Sequence, residues 1–365
     1  MIKVGVLYGG RSEEHDVSKC SAASVVSAID RSKYDIVAIG IDRVGRWFVQ
    51  DEPAIIESRE FGKVMDLRKK GRWLLNHFED GNRLSLFDIE SGKKVTVDMV
   101  FPVIHGTFCE DGTLQGLLEL CMVPFVGAGT AGSVLGMDKD LMKRILRDSG
   151  VLVTEWETLH ISDWKGNQEN IIKNVLENLK LPLFVKPSSS GSSVGISKVK
   201  NPRELSAAIH HAFTYDNKVL VERGVDAREI ECSVMGNNTP RASVLGEIIP
   251  NHEFYSYEAK YLDTKGADLV IPAGLDGAVS ETVRELAVKI YKILNCSGMA
   301  RIDFFLDRES GNIYLNEINT IPGFTSISMY PKLWEHTGLG YKDLITSLID
   351  LGFERFHDQK RIRST

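Results

Sequence analysis

The chain contains no apolar run approaching the ~20 residues that a membrane-crossing helix requires, no internal repeat and no low-complexity segment. Basic charge is also in short supply. Lys and Arg number 44 against 50 Asp and Glu, the net charge is −6, and no dense basic run occurs. That leaves no electrostatic footprint for nucleic acid or an anionic membrane surface. The one local cluster, Arg68-Lys69-Lys70-Gly71-Arg72, reads as a solvated loop. Cysteine is scarce as well: Cys20, Cys109, Cys121, Cys232 and Cys296 are scattered, odd in number and without metal-ligand spacing. This predicts free thiols, no disulfide and no structural zinc, as in a reducing compartment. Met1-Ile2-Lys3-Val4 opens directly into a strand rather than a signal peptide, so the expected location is the cytoplasm.

What is present describes a globular chain: 365 residues, 43% hydrophobic and 26% charged, long enough for two or three domains. Hydrophobic patterning predicts an open α/β sheet first, with a strand over Lys3 to Tyr8, a turn at Gly9-Gly10-Arg11-Ser12 and a helix over Val17 to Ile29. Strands at Asp35 to Ile41 and Val97 to Ile104 extend that sheet, and His105-Gly106 then reaches its carboxyl-end crevice, where open sheets bind ligands. The stretch from Trp47 to Val95 carries no interpretable motif. Helices over Ala131 to Met137 and Asp138 to Ser149 open a second region. Strands at Leu183 to Val185 and Gly195 to Val199 enclose a Ser/Gly loop, and Asn201-Pro202-Arg203-Glu204 starts a helix. Val219 to Glu222, Glu229 to Met235 and Arg241 to Ile249 read as an antiparallel group. Asn251 to Pro272 is too polar for a strand and too long for a tight turn, which suits a lid.

The residue pattern richest in chemistry comes late. Ala300 to Asp307 and Ile313 to Gly323 set Arg301, Asp303, Glu317 and Asn319 among apolar β-formers. Alternation puts Arg301 and Asp303 on one face and Glu317 and Asn319 on one face, and a hairpin at Asp307 to Asn312 makes them converge. Three oxygen ligands of that kind suit Mg²⁺; a plain strand ion pair with Glu317 at a polar edge fits the same residues. Earlier, Lys186-Pro187 with Gly191-Ser192-Ser193-Val194-Gly195 places a lysine at a strand end before small residues whose backbone donors can cradle phosphate. It is not a Walker A loop, because the lysine precedes the glycines, and read alone it also fits a flexible linker. Val219 to Val225, with Glu222 and Arg223 at its polar switch ahead of Glu229, offers apolar walls for adenine and carboxylates for ribose, or an ordinary edge strand. Glu14 alone fits a helix-start charge and His105 alone a loop residue.

These pieces in this order, from Met137-Asp138-Lys139 through Glu317-x-Asn319, resemble the ATP-grasp superfamily. The closer resemblance is to the D-alanine:D-alanine ligase family. It is carried by Gly9-Gly10-x-Ser12-x-Glu14, His105-Gly106-x-x-x-Glu110-Asp111-Gly112, the Lys186 loop, Tyr257-Glu258-Ala259-Lys260-Tyr261 and Asn319-Thr320-Ile321-Pro322-Gly323-Phe324-Thr325-Ser326-x-Ser328. The resemblance implies an N-terminal open parallel α/β sheet (1–128), then two ATP-grasp subdomains (129–222 and 223–365), and a homodimer through the first domain. It implies ATP and two Mg²⁺ (or Mn²⁺), with D-alanine as substrate and an acyl phosphate as intermediate, in the service of peptidoglycan synthesis. Lys139 and Lys186 would hold the α- and β-phosphates and Lys260 the γ-phosphate. Ser193, Glu222, Arg223, Val225 and Glu229 would complete the ATP site, while Asp303, Glu317 and Asn319 carry the metals with Glu317 bridging. Arg301 and the N–H of Gly323 would stabilise the tetrahedral oxyanion. Glu14 would bind the first D-alanine's ammonium, His105 would orient or deprotonate that substrate, and Ser328 with the backbone near Met329 would take the second carboxylate. Ser192 and Tyr261 would bond to Glu14 and lock the lid. Tyr261 favours the dipeptide over a D-lactate product, with D-serine as a further alternative. Two residues depart from the family pattern: Cys109 stands where glycine is usual, so the backbone there must not need a positive φ, and Ile327 stands where histidine is frequent. A different class, a Rossmann-type NAD-dependent oxidoreductase, also opens with strand, glycine turn and helix. Gly5-Val6-Leu7-Tyr8-Gly9-Gly10 does not fit its fingerprint.

Overall fold

A computed structural model describes residues 1–52, 55, 66–76, 81–251 and 266–363. The chain begins with β1 (Ile2–Gly9), α1 (His15–Ala28), β2 (Tyr34–Ile41) and β3 (Trp47–Gln50), followed by β4 (Trp73–Asn76), β5 (Leu84–Asp88), β6 (Lys94–Val97), β7 (Met99–Pro102) and α2 (Thr113–Leu120). The first sheet has the order β3-β2-β1-β7. β2, β1 and β7 are parallel and β3 is an antiparallel edge. Gly9 and Gly10 end β1 at φ 88° and 94°, and a Cβ on Gly9 would come within 2.3 Å of the Ile41 carbonyl oxygen, so the turn requires glycine there.

The expected single strand over Val97 to Ile104 is instead two strands in two sheets. Asp98 breaks it, because its carboxylate accepts the Lys3 N–H at 2.8 Å and its own N–H donates to the Lys3 carbonyl. The stretch from Trp47 to Val95, opaque as sequence, supplies β3 and a small antiparallel sheet, β4-β5-β6. Its strands have four or five residues each, too short for alternation to register.

The middle of the chain contains α3 (Thr130–Met137), α4 (Lys139–Asp148), β8 (Trp156–His160), α5 (Ile161–Trp164), α6 (Gln168–Asn178), β9 (Leu183–Pro187), β10 (Ser197–Val199), α7 (Leu205–Ala212) and β11 (Lys218–Arg223). The sheet order is β10-β9-β11-β8. Asn201 and Glu204 form a capping box over one 3₁₀ turn that leads into α7. The strand expected at Val219 to Glu222 thus belongs here, paired with β9 and β8, and not with the strands that follow it.

Those later strands, β12 (Ala227–Gly236), β13 (Arg241–Pro250), β14 (Ala267–Val270), β15 (Gly298–Asp307) and β16 (Ile313–Asn319), form one antiparallel sheet of order β14-β13-β12-β15-β16. The chain also includes α8 (Gly277–Ile293), α9 (Met329–His336) and α10 (Tyr341–Arg363). β14 lies inside the stretch judged too polar for a strand: it adds to β13 as an edge, where only alternate residues need burial. The rest of that stretch, residues 252–265, lies outside the described residues.

Apolar burial joins these layers. One core packs β1, β7 and α1 against Phe324, Tyr330, Trp334 and the α10 residues Leu344, Ile345, Leu348 and Ile349. The last helix therefore returns to the first sheet, and the segment after β16 is clamped between sheets, with Phe101 and Phe324 edge-to-face at 5.8 Å. A second core lies between the late sheet, α8 and α4, and a third packs the middle sheet on α6 and α7. Leu348 is fully buried at the α10 seam. Leu348→Ala is expected to lower unfolding free energy by about 2–5 kcal/mol, read as a lower urea midpoint; an unchanged midpoint would remove α10 from the first core.

Candidate active site

The β15–β16 hairpin forms as its alternation predicts, with Arg301 opposite Asn319 and Asp303 opposite Glu317. A bulge just after Asp303 shifts the register, so that Phe304 faces Leu315. Arg301 donates Nε and Nη2 to the two oxygens of Asp303 at 2.8 and 2.7 Å, and the Asn319 amide donates to Asp303 at 3.1 Å. From β12, Glu231 brings a carboxylate oxygen to 3.0 Å from Arg301 Nε. Burial acts against the Arg301 charge, but Asp303, Glu231 and Glu317 outweigh it and hold its pKa well above the usual guanidinium value. The ion pair and the inward carboxylates thus coexist. Glu231 escaped the sequence reading, although its alternation with Glu229 was the available signal.

Across from the hairpin, the end of β9 presents Lys186, whose Nζ lies 2.8 Å from Glu222 on the neighbouring β11. Lys139 opens α4, where Asp138 caps the helix by accepting the N–H groups of Asp140 and Leu141. Ser188 donates to the same cap at 2.9 Å, which docks the Ser/Gly loop against α4. Lys139 Nζ donates to the Ser190 carbonyl at 2.8 Å and lies 3.6 Å from Glu317, so it spans from loop to hairpin. The loop takes left-handed backbone at Ser192, Ser193 and Gly195 (φ 49°, 59° and 74°). That conformation turns Ser192 Oγ onto the Glu14 carboxylate, to which it donates.

A cleft of about 460 Å³ gathers the hairpin face, Glu14, His105, Ser192 and Glu229. The loop after β16 adds Gly323, Ser328 and Met329 to the same cleft, and Ser328 Oγ lies 2.8 Å from Thr325 Oγ1. Lys139, Lys186 and Glu222 are not among its lining residues, and only Lys139 reaches one of them, Glu317 at 3.6 Å. Ser193, Arg223 and Val225 do not line it either; Arg223 ends β11, its Nε 3.0 Å from Glu155, and Val225 lies on the turn to β12. Lys260 and Tyr261 lie outside the described residues. Of the two departures, Cys109 is buried with an ordinary φ and Phe108 beside it takes the left-handed conformation at φ 68°. Ile327 lines the cleft and is 58% exposed.

His105 is buried, with Nδ1 3.0 Å from the Ile321 carbonyl and Nε2 3.0 Å from Ser21 Oγ. A carbonyl only accepts, so Nδ1 carries the hydrogen and Nε2 receives the serine proton. Burial lowers the His105 pKa, and the Arg301 charge acts in the same direction against Glu14 and the Ile321 hydrogen bond. The ring is neutral and held. Glu110, a motif residue without an assigned role, accepts N–H groups from Gly106 at 2.7 Å and Ile321 at 3.2 Å, tying the histidine loop to the hairpin's exit. Burial, then the charge of Glu14, push its carboxyl up to about 8.

The donor set fits a hard cation and a polyphosphate. Asp303, Glu317 and Asn319 present oxygens side by side, and Asn319 can offer its carbonyl instead of its amide by a simple flip. Among the described residues no group of three or more His, Cys, Asp or Glu is placed to hold a metal ion. Lys139 Nζ, 3.6 Å from Glu317, faces that position.

Solved structures share the fold over all or nearly all of the chain. The chain resembles a D-alanine-D-alanine ligase from Coxiella burnetii with TM-score 0.83 and 37% identity, covering 100% of this chain and 97% of that one. It resembles VanG D-Ala:D-Ser ligase from Enterococcus faecalis with TM-score 0.83 and 37% identity, over 96% of this chain and 99% of that one. The protein is thus an enzyme of the ligase class, with the ATP-grasp fold. The D-ala D-ala ligase N-terminus model matches residues 3–128 and the D-ala D-ala ligase C-terminus model residues 145–350. Curated D-alanine--D-alanine ligases of Shouchella clausii and Escherichia coli (ligase A) are each 44% identical over 366 aligned residues, covering 100% of this chain and 98% and 99% of theirs. The chain belongs to the D-alanine–D-alanine ligase family. The oxidoreductase alternative falls with that membership. No helix among the described residues is long and apolar enough to cross a membrane.

A carboxyl raised from about 4.5 to about 8 on folding stabilises the fold fully below the lower value and loses that contribution as pH rises through the upper one. Relative to Glu110→Gln, the wild type should therefore lose stability between those two pH values. Parallel urea titrations across that range check this, and a difference independent of pH would contradict it.

Proposed function

We propose that the protein joins two D-alanine molecules into D-alanyl-D-alanine at the expense of ATP, supplying peptidoglycan synthesis. The observation that carries the reading is the meeting, in one cleft, of the Glu14–Ser192 contact with the Asp303, Glu317 and Asn319 face. A carboxylate for the substrate ammonium would thereby share one hollow with the residues that would hold metal. In this reading a carboxylate oxygen of the first D-alanine takes the γ-phosphoryl group of ATP, giving an acyl phosphate and ADP. The amine nitrogen of the second attacks that carbonyl carbon, the carbon–oxygen bond to phosphate breaks, and dipeptide, phosphate and a proton leave.

Transfer between anions calls for charge neutralisation and alignment more than covalent help. Lys139 and Lys186 neutralise the α- and β-phosphates, with Ser193, Glu222, Arg223, Val225 and Glu229 around the rest of the nucleotide. Asp303, Glu317 and Asn319 would hold two Mg²⁺ or Mn²⁺, which supply further neutralisation of the transferring phosphoryl group. Glu14 pairs with the first substrate's ammonium, and His105, neutral and held at both nitrogens, orients that end of the cleft. Arg301 and the Gly323 N–H face the tetrahedral oxyanion, while Ser328 and the Met329 N–H take the second carboxylate. Lys260, for the γ-phosphate, and Tyr261, for closure and against D-lactate, enter on the family resemblance alone. The same reading includes the three-part division (1–128, 129–222, 223–365), a homodimer through the first part, and a cytoplasmic location, in keeping with five buried free cysteines.

The test is phosphate release from ATP and Mg²⁺ with D-alanine, L-alanine, D-lactate plus D-alanine, or D-serine plus D-alanine, with products weighed by mass spectrometry. Release that requires D-alanine and yields D-alanyl-D-alanine is expected; preferential formation of D-alanyl-D-serine would move the protein to the activity named for VanG. Lys186→Ala should lower turnover by about a hundredfold or more, and full activity in that variant would remove Lys186 from the phosphate site.

A further inference from the structure

Lys143 is the most enclosed charged side chain near the cleft, yet no role above uses it. It projects from the middle of α4 with 1% of its side chain exposed. Its Nζ donates to Thr154 Oγ1 at 2.7 Å and to the Thr154 carbonyl at 3.3 Å, and lies 3.3 Å from Oε1 of Glu222. The other oxygen of that carboxylate, Oε2, faces Lys186 at 2.8 Å. One buried carboxylate therefore serves two ammonium groups. Lys186 stands at the end of β9 beside the Ser/Gly loop, and Lys143 is sealed behind the shared carboxylate, over the Trp156 ring at 5.4 Å.

This geometry poses a problem that Lys186 alone cannot solve. A phosphate drawing Lys186 away from Glu222 would leave a buried carboxylate without its counterion, and an uncompensated buried charge is strongly disfavoured. With Lys143 in place, Glu222 keeps a partner while Lys186 is shared. Burial weighs against the Lys143 charge, and Lys186 and Lys139 repel it, while Glu222 sustains it; the Glu222 carboxyl is held below its ordinary value by Lys143 and Lys186 despite its burial. We propose that Lys143 is a positioning residue, a resident counterion for Glu222 that frees Lys186 to turn from carboxylate to nucleotide phosphate. The proposal deepens the reading of Lys186 as a phosphate-binding group and rests on it.

The test measures binding with D-alanine absent, so that no turnover occurs. ATP affinity is read by calorimetry and adenosine affinity by competition, in wild type, Lys143→Met, Glu222→Gln and the double variant. The ratio of the two affinities isolates the phosphate contribution. Lys143→Met should lower this ratio about tenfold or more, with adenosine within about twofold of wild type. Adding Glu222→Gln removes the carboxylate that competes for Lys186, so the double variant should recover the wild-type ratio. An unchanged ratio in Lys143→Met, or equal losses for ATP and adenosine, would reduce Lys143 to a brace between α4 and β8 and overturn the proposal. Should Lys143→Met fail to fold, the double variant decides alone, and a ratio tenfold below wild type overturns the proposal. A wild type that binds no ATP would overturn the functional reading itself, and this inference with it.

Discussion

Asp303 and Glu317 can share a face only because β15 and β16 are antiparallel and in one register, and a slip of one residue would turn Glu317 and Asn319 into the opposite layer. Much else is arranged around that constraint. β12 lies along the other side of β15 and sets Glu231 opposite Asp303, so Arg301 is held between two carboxylates in one rotamer. The bulge after Asp303 lets the hairpin leave the regular ladder where the apolar core beneath it takes over at Phe304 and Leu315. Beyond Asn319 the chain cannot wander, because Phe324 and Tyr330 are clamped into the core beneath the first sheet.

The cleft concentrates charge at a cost that it offsets locally. Glu14, Glu110, Glu229, Glu231, Asp303 and Glu317 line it, against Arg301 and Lys332. Five of these acids have named partners: Ser192 for Glu14, two backbone N–H groups for Glu110, Arg301 for Asp303 and Glu231, and Lys139 for Glu317. An excess of carboxylate over cation is what a site awaiting divalent metal and an ammonium-bearing substrate calls for, because the ligands bring the missing positive charge. The histidine is kept neutral in the same hollow, which leaves the positive charge to those ligands.

The sequence carried the local part of this site well. The hairpin with its four polar residues, Lys186 before the Ser/Gly loop, and Lys139 at a helix start are all features of adjacent residues, and each lies in the kind of element its neighbours specify. The contact between Ser192 and Glu14 joins residues far apart and was reached through the family resemblance, since nothing local links them. What stayed hidden became meaningful only through packing. Glu110 meets Ile321 across 211 positions, and Glu231 matters because β12 happens to border β15. Lys143 looked like any helix lysine until α4 was laid against β11. The split at Asp98 and the short strands between Trp47 and Val95 were missed because side-chain hydrogen bonds and four-residue strands leave little periodic signal.

The central claim is that the hairpin face is the metal-binding half of a nucleotide site. Manganese binding followed by electron paramagnetic resonance in the presence of ADP, in wild type and in Glu317→Gln, addresses it directly. The account predicts nucleotide-dependent binding of two Mn²⁺ per chain in the wild type and loss of at least one in the variant, with the variant's melting temperature unchanged. Equal Mn²⁺ binding by both proteins would contradict it.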